Sequence, residues 1–261
     1  MKTLIITGGS SGIGKATVQL FSNKGYKVYD LSRHGESHDD ITHICCDVTD
    51  PEACKNAVKT VVEERGKIDL LICNAGMGIS GAIEFTEESE LRKQLDVNLY
   101  GSIFMTQAAL PYMREAAGGR ILFVSSLAGI FALPFQAFYS VSKFGVIAFA
   151  MALKNEVRPF GISVACMVPG DVKTGFTAAR RKNVVGADIY KSMNKSVNSM
   201  EHDEENGIDP VQIAEKLYKM AECKHPRAIN TVGFQYKLFI LLNKILPTTL
   251  VYRIVGMMYA P

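Results

Sequence analysis

Short apolar runs alternate along this chain with longer stretches in which apolar residues recur every three or four positions. An unbroken apolar run suits a strand buried on both faces, whereas the wider spacing suits a helix with one apolar side. On that reading TLIIT (3–7), KVYDLS (27–32), ITHICC (41–46), IDLLICNAG (68–76), GRILFVSS (119–126) and ISVACMVPG (162–170) are strands, and RAINTV (227–232) is a last one. Helices fill the gaps. One covers 14–25 and closes at Gly25; a second covers 50–66, opening on Asp50 and Pro51 and closing at Gly66. A third covers 87–116 with a kink expected at Pro111. Two more cover 136–158, stopped by Pro159 and Gly161, and 210–222, behind Asp209 and Pro210.

This alternation predicts parallel pairing through right-handed crossovers. The expected fold class is therefore α/β: a doubly wound, Rossmann-type parallel sheet with helices on both faces, in one domain spanning 1–261. Residues 171–207 are the most polar and least regular, which suits a substrate-binding loop or lid. Residues 234–260 are strongly apolar, interrupted by Lys237, Lys244 and Arg253 and split by Pro247. Two amphipathic helices there would cover the cleft, contact a second subunit, or lie weakly on a membrane surface, the first two being favoured.

Composition narrows the classes. The 261 residues are 48% hydrophobic, enough for one large core, and the net charge of +3 comes without a Lys/Arg block. That argues against nucleic acid as a partner. The six cysteines form no C-x-x-C pair and have no histidine cluster beside them. They read as reduced thiols in a cytoplasmic setting, with no metal site. The N-terminal run LII is too short for a secretion signal, and no apolar run reaches the ~18 residues of a membrane span.

Candidate chemistry begins at TGGSSGIG (7–14), between the first strand and first helix. Gly8, Gly12 and Gly14 allow a tight turn and a close approach to a pyrophosphate, which the helix N-terminus would face with free N–H groups. The spacing is G-x-x-x-G-x-G rather than the more familiar G-x-G-x-x-G. At the end of the second strand an acidic residue would bind a ribose 2′-hydroxyl and an arginine a 2′-phosphate. Asp30 falls two residues too early, so Arg33 is expected to reach the ribose, with Ser11 as a further donor. NADP is favoured over NAD.

Tyr139 and Lys143 lie four residues apart, on one helix face. A nearby ammonium would lower the pKa of the phenol and make it usable in proton transfer. Ser126 ends the preceding strand at the carboxyl edge of the sheet, where its hydroxyl could meet a substrate oxygen.

The motifs TGGSSGIG (7–14), CDV (46–48), CNAG (73–76), DVNLYG (96–101), VSS (124–126), YSVSK (139–143) and PGDVKT (169–174) occur in the order and spacing of the short-chain dehydrogenase/reductase family, which the chain resembles over its first two thirds. Cys73 is a mild departure from its pattern. The resemblance implies Tyr139 as general acid/base, Lys143 as its partner and holder of the nicotinamide ribose, Ser126 as the group orienting the substrate oxygen, and Asn98 as support for a proton-relaying water chain. The adjacent Ser125 leaves the serine assignment open by one position; Ser126 is preferred because it lies thirteen residues before Tyr139. The resemblance also implies cofactor contacts from Ser10, Ser11 and Ile13 in the glycine turn, Asp47 and Val48 at the adenine, Asn74, Ala75 and Gly76 in the groove, and Pro169, Gly170, Val172 and Thr174 near the nicotinamide.

Ile79, Phe131, Leu133, Phe135, Phe138 and Phe176 form the expected substrate wall, an apolar set suited to a bulky lipophilic alcohol or ketone. The stretches 74–84 and 132–145 are similar to hydroxysteroid and retinol dehydrogenases. The expectation is an NADP-dependent oxidoreductase acting on a hydroxysteroid-like substrate, as a homodimer or homotetramer. The alternatives are a fatty-acyl or small-ketone reductase of the same family, or a non-catalytic NADP-binding sensor. A sensor would be expected to have lost one of Asn98, Ser126, Tyr139 and Lys143, and all four are present.

Overall fold

The apolar runs assemble into one parallel sheet. The computed structural model describes residues 1–260. In chain order it contains β1 (Thr3–Thr7), α1 (Gly12–Asn23), β2 (Lys27–Ser32), β3 (Ile41–Cys45), α2 (Pro51–Arg65), β4 (Leu70–Cys73) and β5 (Ile79–Ser80). Next come α3 (Glu88–Leu95), α4 (Gly101–Glu115), β6 (Gly119–Val124), α5 (Ala137–Glu156), β7 (Ile162–Met167), α6 (Phe176–Ala179) and β8 (Arg181–Lys182). The chain finishes with α7 (Met193–Glu205), α8 (Pro210–Glu222), β9 (Ile229–Asn230), α9 (Phe234–Ile245) and α10 (Thr248–Tyr259).

Seven strands pair in the order β3-β2-β1-β4-β6-β7-β9, all parallel. Strand order reverses between β1 and β4, which opens a crevice at their carboxyl ends. Side chains alternate across the sheet and so feed two cores. Ile5, Leu31, Leu71 and Phe123 pack toward α2, α4 and α5. Leu4, Ile6, Ile72 and Leu122 pack toward α1 and α8 through Val18, Phe21, Ile213 and Leu217. Burial on both faces is why these strands read as apolar runs rather than alternating ones.

Three expectations are corrected. The helical stretch expected over 87–116 is present from Glu88 to Glu115, and its irregularity is a π-helical turn at Asp96–Tyr100 rather than a kink at Pro111. Pro111 sits inside α4, which continues past it. The turn is held by Asn98, whose side chain pairs with backbone outside its own helix; such turns cluster at functional sites. The 171–207 segment is more ordered than expected. It holds α6, β8 and α7, and β8 pairs in parallel with β5 to make a small second sheet. Its ends are pinned by hydrogen bonds from Ile208 N–H to the Asp171 carbonyl (2.9 Å) and from Lys173 N–H to the Ile208 carbonyl (3.0 Å). Finally, α5 proves long and apolar enough to cross a membrane by composition, with a mean hydropathy of 1.3 in its most apolar window. It lies instead against the sheet, with Val146, Ala150 and Leu153 in the core.

Candidate active site

The glycine turn lies directly over the crevice. Gly8 and Gly12 have φ of +67° and +51°, a region costly for other residues. At Gly14 the constraint is distance: a Cβ there would lie 2.0 Å from the Gly8 carbonyl oxygen. Asn74 clamps the turn from β4, donating from Nδ2 to the carbonyls of Thr7 and Gly8 at 3.0 Å each. Asp30 clamps it from β2. Its carboxylate accepts from Gly9 N–H (2.7 Å) and Ser32 Oγ (2.9 Å), so this buried acid shapes the turn rather than facing the cleft. Arg33 is exposed and lines the cleft.

The chain's own residues fit a dinucleotide. Helix α1 has no acidic residue in its first turn and no side-chain cap on its first N–H groups, so its positive end is uncompensated. A cavity of about 680 Å³ runs without interruption from this turn to Tyr139. All of the expected cofactor residues line it: Gly8, Ser10, Ser11, Gly12, Ile13, Gly14, Arg33, Asp47, Val48, Asn74, Ala75, Gly76, Tyr139, Lys143, Pro169, Gly170, Val172 and Thr174.

Four elements converge at the far end. Lys143 is buried on α5, and its Nζ donates to the carbonyl of Val124, the last residue of β6, at 3.1 Å. The ammonium lies 5.8 Å from the Tyr139 ring centroid, so the two side chains share a face as their spacing predicts. Ser125 and Ser126 now separate. Ser125 Oγ is buried and donates to the Lys143 carbonyl (2.9 Å), fastening α5 to the sheet. Ser126 lines the cavity and accepts from Ala128 N–H (3.1 Å). Asn98 does not line the cavity. It is 1% exposed and stands behind it, accepting from Met77 N–H (2.8 Å) and donating to the Met77 carbonyl and Ser142 Oγ (3.0 Å each). It thereby joins the π-helical turn, the loop after β4 and helix α5.

The electrostatics correct one expectation. Lys143 was expected to lower the pKa of Tyr139, but burial dominates at both groups. Desolvation raises the phenol to about 12, opposed by the Ser126 hydroxyl and by the Arg180 charge and reinforced by the Glu204 carboxylate. Desolvation lowers the Lys143 ammonium to about 8. With its ammonium turned to the Val124 carbonyl, the lysine does not offset the phenol's burial. At neutral pH the phenol is therefore neutral and the amine beside it protonated.

Part of the substrate wall is as expected and part is not. Phe131, Leu133 and Phe176 line the cavity, and Phe176 packs on Tyr139 with centroids 5.8 Å apart. Ile79, Phe135 and Phe138 do not. Ile79 is buried in the β5–β8 pair, Phe138 lies half-buried in the first turn of α5, and Phe135, at φ +59°, lines a separate surface hollow with Tyr252. The missing wall comes from Phe239 and Leu242 of α9, Leu246 just after it, and Ile254 and Met258 of α10, which line the same cavity as Tyr139. The apolar run 234–260 marked these helices, but not which of their faces turns inward.

Sequence reasoning also missed the charged strut within residues 171–207. Arg180 is buried, stacks over Phe176 at 5.7 Å and pairs with Glu204 of α7. Thr177 Oγ1 donates to the same carboxylate at 2.6 Å, and Lys182 pairs with Glu201 at 2.8 Å. Tyr236 of α9 donates to the Asp171 carboxylate at 2.9 Å and seals the other edge. No spacing rule connects these residues, since their partners lie on different elements.

Comparison with known proteins agrees with this geometry. The short chain dehydrogenase family profile matches residues 2–185. The chain is 39% identical over 234 residues to a 3-ketodihydrosphingosine reductase of Bacteroides thetaiotaomicron, covering 88% of this chain and 87% of that one. It is 35% identical over 190 residues to human 17-beta-hydroxysteroid dehydrogenase type 1, covering 66% and 57%. A crystal structure of a short-chain dehydrogenase from Streptomyces avermitilis superposes with a TM-score of 0.83 at 27% identity, covering 94% of this chain and 93% of that one. The chain belongs to the short-chain dehydrogenase/reductase family of oxidoreductases, which use a nicotinamide cofactor.

Proposed function

We propose that this chain reduces the ketone of a long, lipophilic substrate to a secondary alcohol with NADPH. One observation carries the reading: Ser126, Tyr139 and Lys143 line the same cavity as the glycine turn and the apolar side chains of α9 and α10. The cofactor, held by the glycine turn, Arg33 and the loop after β7, would supply hydride to the carbonyl carbon. Ser126 Oγ orients the carbonyl oxygen, and Tyr139 Oη hands it the proton that completes the alcohol. Lys143 keeps a cation beside the departing proton. Asn98 acts one step back, holding Met77 and α5 in register.

The resting protonation supports the reductive direction, because reduction consumes a proton at the oxygen. Arg33 supports the phosphorylated cofactor, since Asp30, the one carboxylate on β2, is committed to Gly9 and Ser32. A long apolar substrate suits a cavity lined by Leu242, Leu246, Ile254 and Met258, and the 39% identical relative is named a 3-ketodihydrosphingosine reductase. A hydroxysteroid is the second reading, supported by the 35% identical relative.

Three measurements test this. In an assay of NADPH oxidation with long-chain 3-ketones and ketosteroids, Tyr139→Phe should lose about 10²- to 10⁴-fold in turnover while still quenching on binding NADPH; undiminished turnover removes the assignment. Arg33→Ala should raise the KM for NADPH by about 10- to 100-fold and leave that for NADH unchanged. The pH profile follows from the burial of Lys143. Both phenol and ammonium hold their protons below about pH 8, so ketone reduction should be level there and fall above it as the ammonium is lost. A profile level to pH 10 would show that the Lys143 charge does not serve the reaction.

A further inference from the structure

Helices α9 and α10 hold to the body by few side chains. Tyr236 is buried with its hydroxyl on Asp171, and Val251 and Val255 are buried under α10. Most of what remains faces outward. Eleven large apolar side chains between Phe234 and Met258 are exposed, among them Phe234 at 82%, Leu241 at 52%, Ile245 at 68% and Met257 at 60%. A contiguous exposed apolar surface of this kind marks a contact site.

Charge says what the contact is. From Cys223 to the end of the chain there is no aspartate or glutamate, while Lys224, Arg227, Lys237, Lys244 and Arg253 all carry positive charge. Lys237 and Lys244 are exposed on α9, and Arg253 is exposed on α10, beside the apolar side chains. A second copy docked here about a two-fold axis would set these cations against their own images, with no carboxylate in the segment to pair them. Within the segment the exposed apolar side chains are accompanied by exposed cations and by no anion, a pattern that matches an anionic lipid surface; the neighbouring acids are those of α7, which packs on α10, and Asp171, which holds Tyr236.

The cavity gives the contact a purpose. Phe239, Leu242, Ile254 and Met258 line the cavity wall and are also counted among the exposed apolar side chains. The cavity wall and the exposed apolar face therefore share residues. We propose that α9 and α10 seat the protein on an anionic phospholipid bilayer, with the substrate cavity turned to the lipid so that a membrane-dissolved ketone enters without crossing water. The docking rests on the two helices alone; only the entry route rests on the ketone reading.

Flotation of the full chain with vesicles tests it. The protein should float with phosphatidylcholine vesicles that contain phosphatidylglycerol, and added salt should weaken the association. The double variant Leu241→Glu/Ile245→Glu, at exposed positions outside the cavity wall, should lose at least tenfold in vesicle association while keeping its melting temperature and its turnover of a small water-soluble ketone. The double variant Lys237→Glu/Lys244→Glu should lose anionic-vesicle association more than fivefold and leave any binding to pure phosphatidylcholine unchanged. Absence of flotation with either lipid overturns the proposal, as does flotation unaffected by Leu241→Glu/Ile245→Glu. A dimer in sedimentation that this variant splits would assign the face to a second copy. If the ketone reading alone were wrong, flotation would persist without turnover.

Discussion

The site depends on one buried cation. Lys143 leaves water to place its ammonium under the carbonyl that ends β6, and this contact determines how α5 meets the sheet. Ser125 reinforces the seam by bonding the lysine's own carbonyl, which frees Ser126 to face the cleft. Tyr139, one helical turn before the lysine, is thereby aimed at the point where the sheet opens. A buried lysine is costly unless something repays its desolvation. Here the cost appears as a depressed pKa, and the return is a proton held beside a phenol too buried to ionise by itself.

Around this seam the chain divides its work. The half built on β1, β2 and β4 is rigid and locally overdetermined: Asp30 and Asn74 fix the glycine turn from two sides, and Gly14 leaves no room for a methyl group. The cover made by residues 171–207 with α9 and α10 is fastened in part by polar struts, Arg180 to Glu204 and Tyr236 to Asp171, whereas α8 and β9 belong to the core and the sheet.

The parts legible in the sequence are those fixed by local patterns. Doubly buried strands appear as apolar runs, helix ends as Asp50, Gly66 and Asp209, and the cofactor turn as glycines between a strand and a helix. Residues placed by long-range partners were less legible. The π-helical turn at Asn98 went unread because its cause, pairing with Met77 and Ser142, lies in other elements; Pro111, the local breaker, was tolerated. Phe135 and Phe138 looked equivalent to Phe131 in an aromatic stretch, yet the turn ahead of α5 sends only some of them inward. The direction of the Tyr139 shift was misjudged for the same reason, since spacing shows a neighbouring charge but not the depth at which both groups are buried.

The central claim is that Lys143 titrates near neutrality because it is buried at this seam. Carbon-13 NMR of the lysine side chains, with Lys143 assigned by its loss in Lys143→Met, measures that directly. The account predicts a midpoint near pH 8 for this one resonance. A midpoint near that of ordinary surface lysines, about 10.4, would contradict it.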